Sequence, residues 1–221
     1  MFDGRFRQGL DATTAPVGRA LVRAGVSADV LTGSGLIFAL ATAWAIGAGY
    51  HLVAVVLLTL TGFHDIFDGA VAKASQRASQ RGSFFDSVAD RLSDALIMGG
   101  VAYYLTVHHH GQLVLLPFGI LTTTFMISYE RSKAESLGLA AKGGLMERAE
   151  RMILLGVGLL ATAIFIPVLW VLLALTAMTA AGRFWRVWQM AARPGPAVAP
   201  AERVHYHPRW SRRGLSRSSR H

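Results

Sequence analysis

Five aspartates crowd the stretch HDIFDGAVAKASQRASQRGSFFDSVADRLSDA, residues 64–95 of a chain with only 13 acidic residues among 221. Asp65 and Asp68 are three apart, and Asp86 and Asp90 four apart. On a helix either spacing puts both carboxylates on one face. Left bare, such a cluster repels itself, and each charge placed within a membrane helix costs about 2.5–3.5 kcal/mol. Something positive must sit among them. An oxygen-only donor set that needs no cysteine or histidine suits a hard cation, Mg2+ or Mn2+ before Zn2+. The four carboxylates of Asp65, Asp68, Asp86 and Asp90 suffice for two ions, and an ion pair of that kind clamps a phosphoryl group during displacement. The chemistry expected here is metal-assisted phosphate transfer.

Simple ion pairing with Lys73, Arg77, Arg81 and Arg91 is the competing explanation. It accounts for one or two of the acids but not for the glycines beside them. Gly69 follows Asp68 directly and Gly82 precedes Asp86 by four. A missing side chain lets a bulky polar substrate approach the backbone next to the carboxylates. Asp94, one turn beyond Asp90, is expected to form an internal ion pair with Arg91 that supports the site.

The elements that position these residues are apolar. The chain is 52% hydrophobic and 16% charged, with mean hydropathy +0.40, outside the range of a water-soluble domain. No lysine or arginine occurs between Arg23 and Lys73, between Arg91 and Arg131, or between Arg151 and Arg183. Each gap holds two spans of roughly 20 residues with a turn between them. The spacing predicts six transmembrane helices at about 30–50, 52–74, 86–107, 112–134, 148–166 and 168–190, with a turn near Pro167. All basic residues then fall on one side, which the positive-inside rule makes cytoplasmic, so both termini and the aspartates face the cytoplasm of a plasma-membrane protein. The second helix runs inward and the third outward, so the two aspartate pairs meet across a helical hairpin.

Residues 1–25 carry charges throughout and have no continuous apolar stretch, so they do not read as a signal peptide. Phe6, Leu10, Val17, Leu21 and Val22 suggest an amphipathic helix lying on the cytoplasmic surface. Residues 193–221, rich in Pro, Arg and Ser, are expected to form a disordered basic tail attracted to anionic lipid. Residues 26–192 make the catalytic domain between them. The net charge of +9 lies along one side of a membrane and carries no nucleic-acid motif, so no nucleic-acid partner is expected. With no cysteine, disulfides and thiol chemistry are excluded.

The pattern Asp65-x2-Asp68-Gly69-x2-Ala72-Lys73-x8-Gly82-x3-Asp86-x3-Asp90 resembles the signature of the CDP-alcohol phosphotransferases, matching seven of its eight fixed positions at every spacing. Lys73 departs from the family arginine, keeping the charge but losing the bidentate fork. The resemblance implies an all-α integral membrane enzyme, commonly a homodimer, that moves a substituted phosphate from a CDP-linked donor to an alcohol and releases CMP. It implies Asp65, Asp68 and Asp86 as ligands of a metal pair, with Asp90 as the general base and also a metal ligand. Gly69, Ala72 and Gly82 would line the nucleotide site, together with Lys73. Upstream, GVSADVLTGSG is similar to the stretch that precedes the family's first span, with Asp29 and Thr32 matching and Ser27 and Ala28 departing. Asp29 and Thr32 are therefore expected near the cytidine end.

A second stretch, SYERSKAESLGLAAKGGLMERAERM at 128–152, is similar to a region of actinobacterial phosphatidylinositol phosphate synthases that supplies basic residues for inositol phosphate. Arg131, Lys133, Arg148 and Arg151 are the matching cations, with Ala149 where those enzymes carry proline. A solvated positive loop is the competing explanation for these four. The expected donor is CDP-diacylglycerol and the expected acceptor myo-inositol phosphate. Glycerol 3-phosphate presents the same dianion and stays open as an alternative. An ion-coupled transporter is disfavoured because the acids cluster at one face and the halves show no symmetry. A prenyltransferase would need Asp-rich motifs on distant helices. The histidines at 108–110 read as an incidental polar turn.

Overall fold

The computed structural model describes residues 4–75, 80–109, 111–140 and 143–192. The tail from 193, Arg77, His110 and the side chain of Ala72 lie outside the described residues. Every regular element among them is helical: α1 Gly4–Arg23, α2 Ala28–Gly47, α3 His51–Ala74, α4 Gln80–His108, α5 Leu115–Ser136, α6 Arg148–Leu160 and α7 Phe165–Ala191.

The turns between the first three helices follow from glycine and local capping. After α2, Gly49 takes φ +78°, Tyr50 N–H donates to Ala45 O at 2.8 Å, and Gly49 N–H donates to Ile46 O at 3.0 Å. This is a Schellman stop, which needs the left-handed conformation that glycine adopts without strain. Gly25, at φ +80°, ends α1 by the same pattern, with Val26 N–H on Leu21 O and Gly25 N–H on Val22 O. Two residues later Ser27 caps α2, its hydroxyl accepting from Val30 N–H at 3.3 Å.

Four stretches are long and apolar enough to cross a membrane: Ala28–Gly47, His51–Val71, Gln112–Ser136 and Thr162–Ala191. The helix α4 is longer than most of these, but Asp86, Asp90, Arg91 and Asp94 interrupt its first half. The sixth helix is short. Its 13 residues span about 20 Å against a hydrocarbon core of about 30 Å. The α-helix expected over 148–166 therefore ends at Leu160, and a 3-10 turn at Thr162–Ile164 leads into α7. Pro167 sits in the first turn of α7 rather than in the connection, because its missing N–H is no loss there.

Packing builds one bundle. The helix α2 lies against both α3 and α4, α5 against α7, and α6 against α3 and α7. Ile46, Ile97, Val101, Leu105, Ile120, Leu155, Leu159, Phe165, Leu169 and Leu172 form its fully buried centre. Close backbone approach sets two of the contacts. A Cβ on Gly100 of α4 would stand 2.7 Å from Ala43 Cα of α2, and one on Gly18 of α1 would stand 2.7 Å from Ala70 O of α3. Small residues at such crossings let membrane helices pack backbone to backbone. The second contact lays α1 along the end of α3 that carries Asp68.

Candidate active site

All the residues with chemistry gather at one end of the bundle because of chain direction. The last turns of α3 carry Asp65 and Asp68, the first turns of α4 carry Asp86 and Asp90, the first turn of α6 carries Arg148 and Arg151, and the first turns of α2 carry Asp29 and Thr32. The hairpin of α3 and α4 brings Asp65, Asp68, Asp86 and Asp90 to one cleft. A cleft of about 760 Å3 is lined at this end by Asp65, Asp68, Gly69, Asp86, Asp90 and Arg148. Away from them it runs between Val55, Leu58, Thr59, Gly62, Phe63 and Ile66 of α3 and Met152, Ile153, Gly156, Val157 and Leu160 of α6. One end is ionic and the rest is apolar.

Within the cluster a protein cation takes the position of charge balance. Arg148 Nη1 lies 3.2 Å from Asp65 Oδ2 and also pairs with Asp90 Oδ1. Arg91 reaches Asp90 Oδ2 at 3.5 Å and donates to Ser87 O at 2.9 Å. Arg91 therefore does not serve Asp94, as the i, i+3 spacing suggested. Asp94 is held instead by Arg151, Nη2 to Oδ2 at 2.9 Å, with both side chains buried. The stronger partner comes from α6 because the desolvated carboxylate needs an equally buried cation.

Thr32 is buried and stands with its hydroxyl 3.4 Å from Asp68 Oδ2 and 3.0 Å from Ala28 O. It ties the start of α2 to the carboxylate cluster. Behind the carboxylates a second, small void is bounded by Thr32, Gly35, His64, Asp68, Asp86 and Ser93. Gly69 lines the cleft, and a Cβ there would find nothing within 4 Å. Gly82 lies in the first turn of α4, and Asp29 in the first turn of α2. Lys73, in the last turn of α3, and Asp29 do not line the cleft.

The four expected acceptor cations separate. Arg148 lines the cleft, whereas Arg151 is spent on Asp94 and on Met146 O at 3.5 Å. Arg131 pairs with Glu135 at 3.0 Å on an exposed face, and Lys133 is exposed on the same helix. Neither lines the cleft. Sequence reasoning passed over Arg183, which is buried in α7 and donates to Ile127 O at 2.8 Å and Gly143 O at 3.2 Å, pinning the connection between α5 and α6. A charge inside the apolar run 165–191 was the available signal.

The donor chemistry fits a hard divalent cation, since the carboxylates are all-oxygen and share one cleft. In this conformation Arg148 pairs with Asp65 and Asp90, and among the described residues no three acidic or histidine side chains stand together as a ligand group.

Known proteins resemble the chain over most of its length. The family described as CDP-alcohol phosphatidyltransferase matches residues 26–188. A phosphatidylinositol phosphate synthase of Cutibacterium acnes is 40% identical over 155 residues, covering 67% of this chain and 72% of the relative. An archaetidylinositol phosphate synthase of Methanothermobacter thermautotrophicus is 36% identical over 174 residues, covering 76% of this chain and 86% of the relative. Among solved structures, Mycobacterium tuberculosis phosphatidylinositol phosphate synthase with CDP-DAG bound superposes with a TM-score of 0.74 at 27% identity, covering 86% of this chain and 98% of that one. The same enzyme in complex with manganese and citrate gives 0.72 at 28% identity, over 79% and 88%. With its hairpin of aspartates and more than half its length matched, the chain belongs to the CDP-alcohol phosphatidyltransferase family and is a transferase of phospholipid biosynthesis.

Proposed function

We propose that the protein transfers the phosphatidyl group of CDP-diacylglycerol to a hydroxyl of myo-inositol phosphate and releases CMP. The observation that carries this is the cleft itself, in which Asp65, Asp68, Asp86, Asp90 and Arg148 adjoin an apolar channel between α3 and α6. A lipid diphosphate needs both environments at once. Its acyl chains gain from apolar burial, and its charged head needs cations beside the carboxylates that position it. The relatives are named as synthases of archaetidylinositol phosphate and phosphatidylinositol phosphate, and one solved relative holds CDP-DAG.

In this account Asp65, Asp68, Asp86 and Asp90 hold two ions, Mg2+ or Mn2+, which when bound would neutralise the diphosphate and the leaving CMP. Manganese in a related structure supports the assignment. Asp90 accepts the proton of the attacking hydroxyl as its oxygen forms a bond to the phosphatidyl phosphorus and the bond from that phosphorus to CMP breaks. The open side of Gly69 admits the donor diphosphate, with Gly82, Ala72, Lys73, Asp29 and Thr32 toward the nucleotide. Arg148, which lines the cleft, is the cation assigned to the acceptor phosphate; Arg151, Arg131 and Lys133 are not among the residues that line it.

The same reading makes α2 to α7 six membrane crossings within a catalytic unit of residues 26–192, with α4 and the short α6 keeping their polar ends at the cytoplasmic surface. The helix α1 lies along that surface of the plasma membrane. A homodimer is expected from the family resemblance. Offering purified protein CDP-diacylglycerol with inositol phosphate or glycerol 3-phosphate in turn, and weighing the lipid formed, tests the acceptor. A product with the mass of phosphatidylglycerophosphate alone would replace inositol by glycerol.

A further inference from the structure

The sixth helix begins at Arg148, and five residues before it the chain is fastened to α7 at Gly143. Gly143, at φ +89°, presents its carbonyl to two guanidinium groups, Arg183 Nη2 at 3.2 Å and Arg186 Nη2 at 3.0 Å. Arg183 is buried and also donates to Ile127 O of α5 at 2.8 Å. Hydrogen bonds from an ionised donor are roughly twice as strong as neutral ones, so this carbonyl is firmly held. The next residue leaves no slack. A Cβ on Gly144 would stand 2.9 Å from Thr179 Cγ2 and 3.1 Å from Arg183 Nη2. Met146 then buries its side chain in the core and gives its carbonyl to Arg151 Nη1 at 3.5 Å, and Arg148 enters the cleft two residues on.

We infer that Arg183 and Arg186 are positioning residues for the acceptor: by holding Gly143 against α7 they fix where α6 starts, and so where Arg148 stands in the cleft. The inference rests on the assignment of Arg148 to the acceptor phosphate made above, and adds the clamp that places it. Neither arginine of the clamp lines the cleft, so both act through the backbone. A buried arginine in a membrane helix is costly to keep, and holding a carbonyl that no neutral side chain would hold as firmly gives it a use. The five residues from Gly143 to Arg148 are tied at Gly144 and Met146, so a shift at the clamp passes to Arg148 instead of being absorbed. Beyond its first turn α6 is anchored separately, by Arg151 on Asp94 and by Leu155 and Leu159 in the core. Loosening the clamp therefore disturbs the acceptor side of the cleft and spares the donor side on α3 and α4.

Initial rates of the purified protein, with myo-inositol phosphate and CDP-diacylglycerol varied in turn, test this. Arg183→Met and Gly144→Val should each raise KM for the acceptor by about tenfold, while KM for the donor and kcat stay within about twofold. Gly144→Val removes no charge, so it reproduces Arg183→Met only if the arginine works by position. In an Arg148→Ala background neither substitution should raise the acceptor KM further. Arg186 is exposed, so Arg186→Gln gives a variant that keeps the buried arginine, with an expected rise in acceptor KM of about threefold. An acceptor KM raised by Arg183→Met but not by Gly144→Val, or a rise that persists without Arg148, means that the arginine meets the acceptor by its charge and overturns the inference. Equal loss for donor and acceptor overturns it too, as the mark of general loosening, and so does an acceptor KM unmoved by both Gly144→Val and Arg186→Gln. An acceptor KM that ignores Arg148→Ala itself overturns the assignment of Arg148 to the acceptor as well.

Discussion

Arg151 Nη2 lies 2.9 Å from Asp94 Oδ2, joining the first turn of α6 to the middle of α4 with both side chains under a tenth exposed. A buried pair of this kind is most vulnerable to losing one partner. Asp94→Asn or Arg151→Met alone should destabilise the protein by about 3–5 kcal/mol, whereas the double replacement should recover most of that loss. Denaturation of the four proteins in the same detergent measures the difference.

Two glycines should respond in opposite ways to the same substitution. At Gly69 a Cβ meets open space on the cleft wall, so Gly69→Val should leave the melting temperature nearly unchanged while turnover of the lipid donor collapses. At Gly100 the Cβ would press to 2.7 Å of Ala43 Cα, so Gly100→Val should destabilise by about 1–3 kcal/mol through forced separation of α2 and α4. Melting curves and turnover, measured side by side, distinguish a substrate surface from a packing contact.

Arg148 and Arg131 should not behave alike toward the acceptor. Arg148 lines the cleft, and Arg131 is engaged by Glu135 outside it. Loss of a charge-assisted hydrogen bond of about 1.5–3 kcal/mol predicts that Arg148→Ala raises KM for the phosphorylated acceptor by roughly tenfold to a hundredfold. Arg131→Ala should change it less than twofold on the order of a surface pair. Equal effects would mean that the acceptor sits elsewhere.

Asp90 separates catalysis from folding. Its carboxylate is partly exposed at the cleft and is assigned the hydroxyl proton. Asp90→Asn should lower turnover by about 10²–10⁴-fold, while gel filtration and helix content match wild type. A variant that keeps turnover within a few-fold would move the base to another residue.

Much of this site was legible because its spacing is local. Asp65 with Asp68 and Asp86 with Asp90 share faces by helix geometry alone, and chain reversal between α3 and α4 brings the faces together. The gaps free of lysine and arginine located the helices for the same reason. What escaped is what depends on distant contacts. Arg91 was the obvious partner for Asp94 by position in sequence, but burial selects Arg151, 57 residues away. The insertion of Arg148 between Asp65 and Asp90 has no local signal either, since it depends on where α6 begins. Hydropathy overran α6 by six residues because apolar turns and apolar helices look alike; the 3-10 turn at Thr162–Ile164 precedes Phe165, which is buried in the core.

The central claim is that one cleft couples loss of CMP to transfer of a lipid phosphate. Purified protein given CDP-diacylglycerol, myo-inositol phosphate and Mg2+ should release one CMP for each phosphatidylinositol phosphate formed, with both products lost when the metal is chelated and restored when it is returned. CMP release that continues without an acceptor hydroxyl, or that ignores the chelator, would contradict the account.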